Sequence, residues 1–177
     1  MNYLRHSKKL ITPNLLKTYN YSTKLSHVDS EGNAKMVDTS HKQPTSRTAI
    51  AEGVIKLNQQ AFDQVKQNTH KKGDVLTVSK IAGIQAAKRT SDLIPLCHPL
   101  PLNFIDVQFN YLEADTSIKV TGTVKCNYNT GVEMEALTLV STTCLTIFDM
   151  CKAVDPLAII QSIKVIRKTG GNSDIKV

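Results

Sequence analysis

Asp149 and Lys152 stand three residues apart in a stretch that otherwise reads Leu145, Ile147, Phe148, Met150 and Cys151. On a helix that spacing places them on one face. There they either neutralise each other as an inert bridge or form an acid/base couple. Burial disfavours both charges and their mutual attraction favours both, so spacing alone leaves the two readings open. Upstream, Glu133 and Glu135 fall in what would be the first turn of the same helix. The helix dipole favours acids at that position whatever their use.

Two other segments hold chemistry-bearing residues. In Leu93-Ile94-Pro95-Leu96-Cys97-His98-Pro99-Leu100, a thiol and an imidazole are locked between prolines. That rigidity suits a preorganised pocket wall. Neighbouring side chains diverge in an extended chain, which serves a Cys–His dyad poorly, and a buried structural histidine is the competing reading. In Lys71-Lys72-Gly73-Asp74, two cations stand at a helix entrance, where the dipole opposes them. Together with free backbone N–H groups they could hold phosphate, or they could belong to a solvated loop. The cysteines are Cys97, Cys126, Cys144 and Cys151. They form no C-x-x-C and no second His or Cys pair at zinc-ligand spacing, so no metal is expected. They read as reduced thiols in an intracellular compartment, three of them packing the core.

These residues need elements to position them. Ala49, Ala51, Gly53, Ile55 and Leu57 alternate as in a strand, and Asn58 then supplies an N-cap for a helix over roughly 59–68. Asp74 caps a second helix, in which Val75, Val78, Ile81, Ala82 and Gln85 recur at threes and fours. Pro95, Pro99 and Pro101 keep residues 90–102 from continuing as helix. Two alternating runs, Ile105 to Tyr111 and Ile118 to Cys126, predict a hairpin. Residues 131–154 read as a long helix stopped before Pro156, and Ile159 to Lys168 as a last strand. The order β-α-α-β-β-α-β is α+β: a ferredoxin-like βαββαβ arrangement with an extra helix, its antiparallel sheet carrying helices on one face. The other sheet face is left free to pack on another subunit, and the apolar surplus at Phe109 and Tyr111 predicts an oligomer.

The chain has 177 residues, enough for one domain with its own core. No apolar run approaches the ~18 residues of a membrane span, so an integral membrane protein is excluded at this level. Five of the 22 basic residues and none of the 15 acids lie in residues 1–28. The body is therefore close to neutral, which weakens a nucleic-acid reading. Residues 1–25 are basic, rich in hydroxyls and scattered with leucine. That is the composition of a mitochondrial transit peptide, interrupted at Pro13. A disordered basic tail or an RNA-contacting arm is the alternative. Residues 26–177 form the single domain.

The segments KGDVLTVSKIAGIQAAKRTSDLIPLCHPL, TGVEMEALTLVSTTCLTIFDMCKAV and KTGG closely resemble the molybdenum cofactor biosynthesis protein C family, from about Leu25 to Val177. The resemblance implies a cyclic pyranopterin monophosphate synthase. Such an enzyme is a lyase that converts 3′,8-cyclo-7,8-dihydro-GTP to cyclic pyranopterin monophosphate with release of diphosphate. It uses no redox cofactor and acts downstream of a radical GTP cyclase. The implied catalytic pair is Asp149 and Lys152. Leu96, Cys97, His98, Met134 and Glu135, with Glu133 beside them, are the implied substrate contacts. Lys72, Arg47 and Lys168 are the implied basic wall facing the triphosphate. The family also implies a hexamer, a trimer of dimers, with the site across a subunit interface, and the mitochondrial matrix as the setting in many eukaryotes. Many relatives read GGKSG where this chain has Gly170-Gly171-Asn172-Ser173-Asp174, a lost cation and a gained acid. The competing functions are an inactive family member that scaffolds the pathway and a ferredoxin-like RNA-binding module. For the latter, four Phe, five Tyr and no Trp offer few stacking platforms.

Overall fold

Period-two alternation decides the sheet. In the computed structural model, which describes residues 27–171 and 173–177, strand β1 (Thr45–Lys56) buries Ala49, Ala51 and Ile55 and turns its other face outward. Helices α1 (Gln59–Lys66), α2 (Val75–Ala87) and the single turn α3 (Thr90–Leu93) follow. Strands β2 (Leu102–Leu112) and β3 (Ser117–Tyr128) then form the expected hairpin around a 3-10 turn at Glu113–Asp115. Helix α4 (Glu133–Cys151), strand β4 (Ile159–Thr169) and the two-residue β5 (Ile175–Lys176) complete the chain. The sheet order is β2-β3-β1-β4-β5, with every neighbouring pair antiparallel. This is the ferredoxin-like α+β arrangement with an extra helix, plus a short edge strand that sequence periodicity does not reveal. The basic leader lies outside the described residues.

The helix starts obey the caps read from sequence. Asn58 Oδ1 accepts the Ala61 N–H at 2.8 Å, and Asp74 Oδ1 accepts the Thr77 N–H at 3.0 Å. The end of α4 is tied down as well: buried Asp155 accepts the Asn58 N–H at 2.6 Å, and Asn58 Nδ2 donates to the Val154 carbonyl at 3.0 Å. The core lies between the sheet and the helical layer. Ala49, Ile55, Ile118, Val120 and Val124 meet Leu139, Val140 and Ile147 there. Cys126, Cys144 and Cys151 are buried in it, and all four cysteines are free thiols.

Two expectations are corrected. The buried side of α2 is Val75, Ser79, Gly83 and Ala87, not the Val78–Ile81 side, which stays exposed. The cause is close approach. A Cβ on Gly83 would run into Thr143 Oγ1 and stand 2.8 Å from the Leu139 carbonyl oxygen, so small residues let α2 settle onto α4. The apolar surplus also sits elsewhere than predicted. Phe109 and Tyr111 are partly buried under the helices, Tyr111 edge-on to Phe62 with ring centroids 5.7 Å apart. The open sheet face carries Glu52 paired with Lys119 at 3.3 Å, with Ile50, Val54 and Phe104 among its threonines. The exposed apolar residues of the helical layer are Val78 and Ile81 of α2, Leu93 of α3, and Met134 and Leu145 of α4. By length and composition α4 could cross a membrane, but half of its apolar window is packed inside the fold.

Candidate active site

The residues singled out by sequence divide between the two ends of α4. At its start the chain arrives from β3 through Asn129, Thr130 and Gly131, and a Cβ on Gly131 would collide with the Glu133 carboxylate. Glu133 bonds Lys168 of β4 at 3.1 Å, both side chains about a third exposed or less. Arg47 of β1 donates from Nε to the Tyr128 carbonyl at 3.3 Å. Arg47, Lys168 and Glu133 line a cavity of about 180 Å³ together with Lys42 and Gly171. Three cations against one carboxylate make it an anion pocket.

Beside it lies a second cavity of about 390 Å³, walled by Leu96, Cys97, His98, Met134 and Glu135. Glu133, Lys42, Thr130 and Gly131 line both cavities, so the two adjoin. The proline-bounded turn is closed by the Cys97 N–H on the Ile94 carbonyl at 3.0 Å. Glu135 is only 3% exposed. Burial, and secondarily the Glu133 charge, push its carboxyl up to about 7. Near neutral pH it can therefore accept or donate at the edge of a heterocycle. The Cys97 thiol is pushed upward by burial and then by Glu135, which keeps it a thiol rather than a nucleophilic thiolate. Among the described residues no three of His, Cys, Asp and Glu converge as metal ligands would.

At the other end of α4, Lys152 Nζ stands 2.6 Å from Asp149 Oδ1, both side chains more than half exposed. Lys72, from the loop before α2, donates from Nζ to the Asp149 carbonyl oxygen at 3.0 Å. The Asp149 carboxyl is held below the usual range by the Lys152 hydrogen bond, then by the charges of Lys152 and Lys72. The apolar neighbours in sequence are spread around the helix, so the pair is solvated rather than buried. Along the axis, sixteen residues separate Glu133 from Asp149, about 24 Å at ~1.5 Å per residue. A purine-sized ring system cannot touch both ends at once.

Lys42 was missed by sequence reading. It precedes β1 in an irregular stretch, and no local pattern marks it. Of the altered tail, Gly171 and Ser173 line the anion pocket, whereas Asp174 accepts the Gly170 N–H at 3.1 Å and closes the turn. Asn172 lies outside the described residues.

The fold and site define a class: a ferredoxin-like α+β domain with an anion pocket beside a ring-sized cavity, and a charged amine–carboxylate pair held apart from both. The chain belongs to the MoaC family, which it matches over residues 36–171. It is 55% identical over 150 residues to a cyclic pyranopterin monophosphate synthase of Clostridium botulinum, covering 85% of this chain and 94% of that one. It is 51% identical to a protein of the same name in Corynebacterium glutamicum over 151 residues, 85% and 96% of the two chains. With the molybdenum cofactor biosynthesis protein moc-5 of Caenorhabditis elegans it shares 48% over 149 residues, 84% of this chain and 25% of the worm protein.

Proposed function

We propose that this chain is a cyclic pyranopterin monophosphate synthase, a lyase of molybdenum cofactor biosynthesis, whose site is assembled from two subunits. One chain supplies the anion pocket and the cavity of Cys97, His98, Met134 and Glu135. A neighbouring copy supplies Asp149, Lys152 and Lys72. The separation of the two sets by the length of α4 is the observation that carries this reading. The exposed apolar residues Val78, Ile81 and Leu145 on the helical layer support an oligomer, and a hexamer of three dimers is the assembly proposed.

In this reading Arg47, Lys168 and Lys42 neutralise the triphosphate of the cyclised GTP substrate and retain the diphosphate as it leaves. Glu135 meets the N–H edge of the guanine-derived ring beside His98. In this reading Lys152 acts as the proton donor and Asp149 as the acceptor. Covering the pair at an interface strips its water and strengthens its field on the opening imidazole ring. The substrate comes from a radical GTP cyclase, the proposed functional partner. The leader's composition supports the mitochondrial matrix; a fusion of residues 1–28 to a fluorescent protein that stayed cytosolic would overturn that location.

Mixing tests the two-subunit site. Asp149→Asn and Glu135→Gln chains are each inactive alone. Co-assembled one to one, they recover about a quarter of native turnover, because a quarter of the paired sites draw two intact halves. Pterin fluorescence after oxidation, measured with diphosphate release, reads it. No recovery from mixed oligomers would place both halves of the site within one chain.

A further inference from the structure

The loop entering α2 holds a histidine that the chemistry above does not use. His70 is 7% exposed. Its Nδ1 accepts the Lys72 backbone N–H at 3.3 Å, and its carbonyl accepts the Gly73 N–H at 3.0 Å. Gly73 turns the chain there with φ +90°, a conformation that favours glycine, and Asp74 then caps α2. Lys72 itself is exposed, so packing does not select among its rotamers. What restrains it is its backbone N–H on the His70 ring at one end and its Nζ on the Asp149 carbonyl at the other.

Packing alone does not explain the imidazole. With Nδ1 serving as acceptor, the neutral ring carries its proton on Nε2. That atom is buried with no hydrogen-bond partner among the described residues. An apolar ring of similar size would fill the space without an unmatched N–H. We propose that His70 is a positioning residue of the reaction, whose Nδ1 fixes the backbone at Lys72 and so aims the Lys72 ammonium at Asp149. This rests on the two-subunit reading, in which Lys72 belongs to the reacting half of the site.

Single-turnover rates with enzyme in excess test it, with a melting temperature for each variant. His70→Phe slows turnover about tenfold or more, whereas His70→Asn, whose Oδ1 stands where Nδ1 did, stays within about threefold of native. Added to Lys72→Ala, His70→Phe changes the rate less than about twofold, since it acts through a side chain already gone. Equal losses in the Phe and Asn variants, or a Phe loss that multiplies fully in the Lys72→Ala background, would overturn the proposal. If His70→Phe does not fold, His70→Asn against His70→Gln decides: Asn must be the faster. A Lys72→Ala enzyme with native rate would bring down the reading of the site as well. A slow Lys72→Ala beside a native-rate His70→Phe brings down this proposal alone.

Discussion

At the start of α4, Glu135 is buried and its carboxyl pushed up to about 7. At the end of the same helix, Asp149 lies open to water and its carboxyl is drawn down by Lys152. Two carboxylates on one helix are thus tuned in opposite directions, one by desolvation inside its own chain and one by a partner charge at the surface. The first half of the site is preorganised by the fold that contains it. The second becomes fully tuned only when something covers it, and a second copy of the chain is the proposed cover.

The sharpest way to break this comparison is Asp149→Asn. Turnover falls by about 10²–10⁴-fold, the range for losing a general acid or base, while the melting temperature of the isolated chain barely moves. A large drop in melting temperature would mean that the exposed pair serves the fold instead. Next in size is Gly83→Ala, which pushes α2 off α4 and costs about 1–3 kcal/mol by thermal or urea unfolding. Because α2 runs from the Lys72 loop to the Thr90 turn, this change disturbs both ends of α4, unlike any local substitution.

Glu135→Gln sharpens the buried side. The native carboxyl holds its proton to about 7, the unfolded one only to about 4.5. Between those values the folded state binds more protons, so native stability falls as pH rises through that window. The glutamine variant therefore gains stability over native at pH 8, on the order of 3 kcal/mol, and little at pH 4. Denaturant midpoints across pH read it; a native profile flat from pH 4 to 8 would deny that the carboxyl is desolvated. The smallest effect is Glu133→Gln, which frees Lys168 in the anion pocket. Inorganic diphosphate, titrated by calorimetry, binds a few-fold tighter, and the gain shrinks with added salt.

The sheet was legible because alternation is a local signal: Ala49, Ala51, Gly53, Ile55 and Leu57 are the buried side of β1 and its exit. The α2 side was misread because hydrophobicity marks Val78 and Ile81, while packing there is decided by small size at Ser79, Gly83 and Ala87. Within the site, the segments around Cys97, Glu135 and Asp149 stood out by residue type. What brings Arg47 and Lys168 beside Glu133 is the pairing of β1 with β4, a contact between distant parts of the chain. Lys42 had neither a pattern nor a fixed element to mark it.

The central place of β1 also governs how the protein is made. Its two neighbours, β3 and β4, begin roughly sixty and a hundred residues after it ends, so non-local pairing dominates the sheet. On the ribosome the β2–β3 hairpin and the helices can form early, but one edge of β1 waits for Ile159–Thr169, which is translated after α4. A nascent chain halted after α4 would present that open edge, flanked by apolar helix surface, to every other chain nearby. Newly synthesised protein is therefore most vulnerable to aggregation, and most in need of a chaperone, just before β4 emerges.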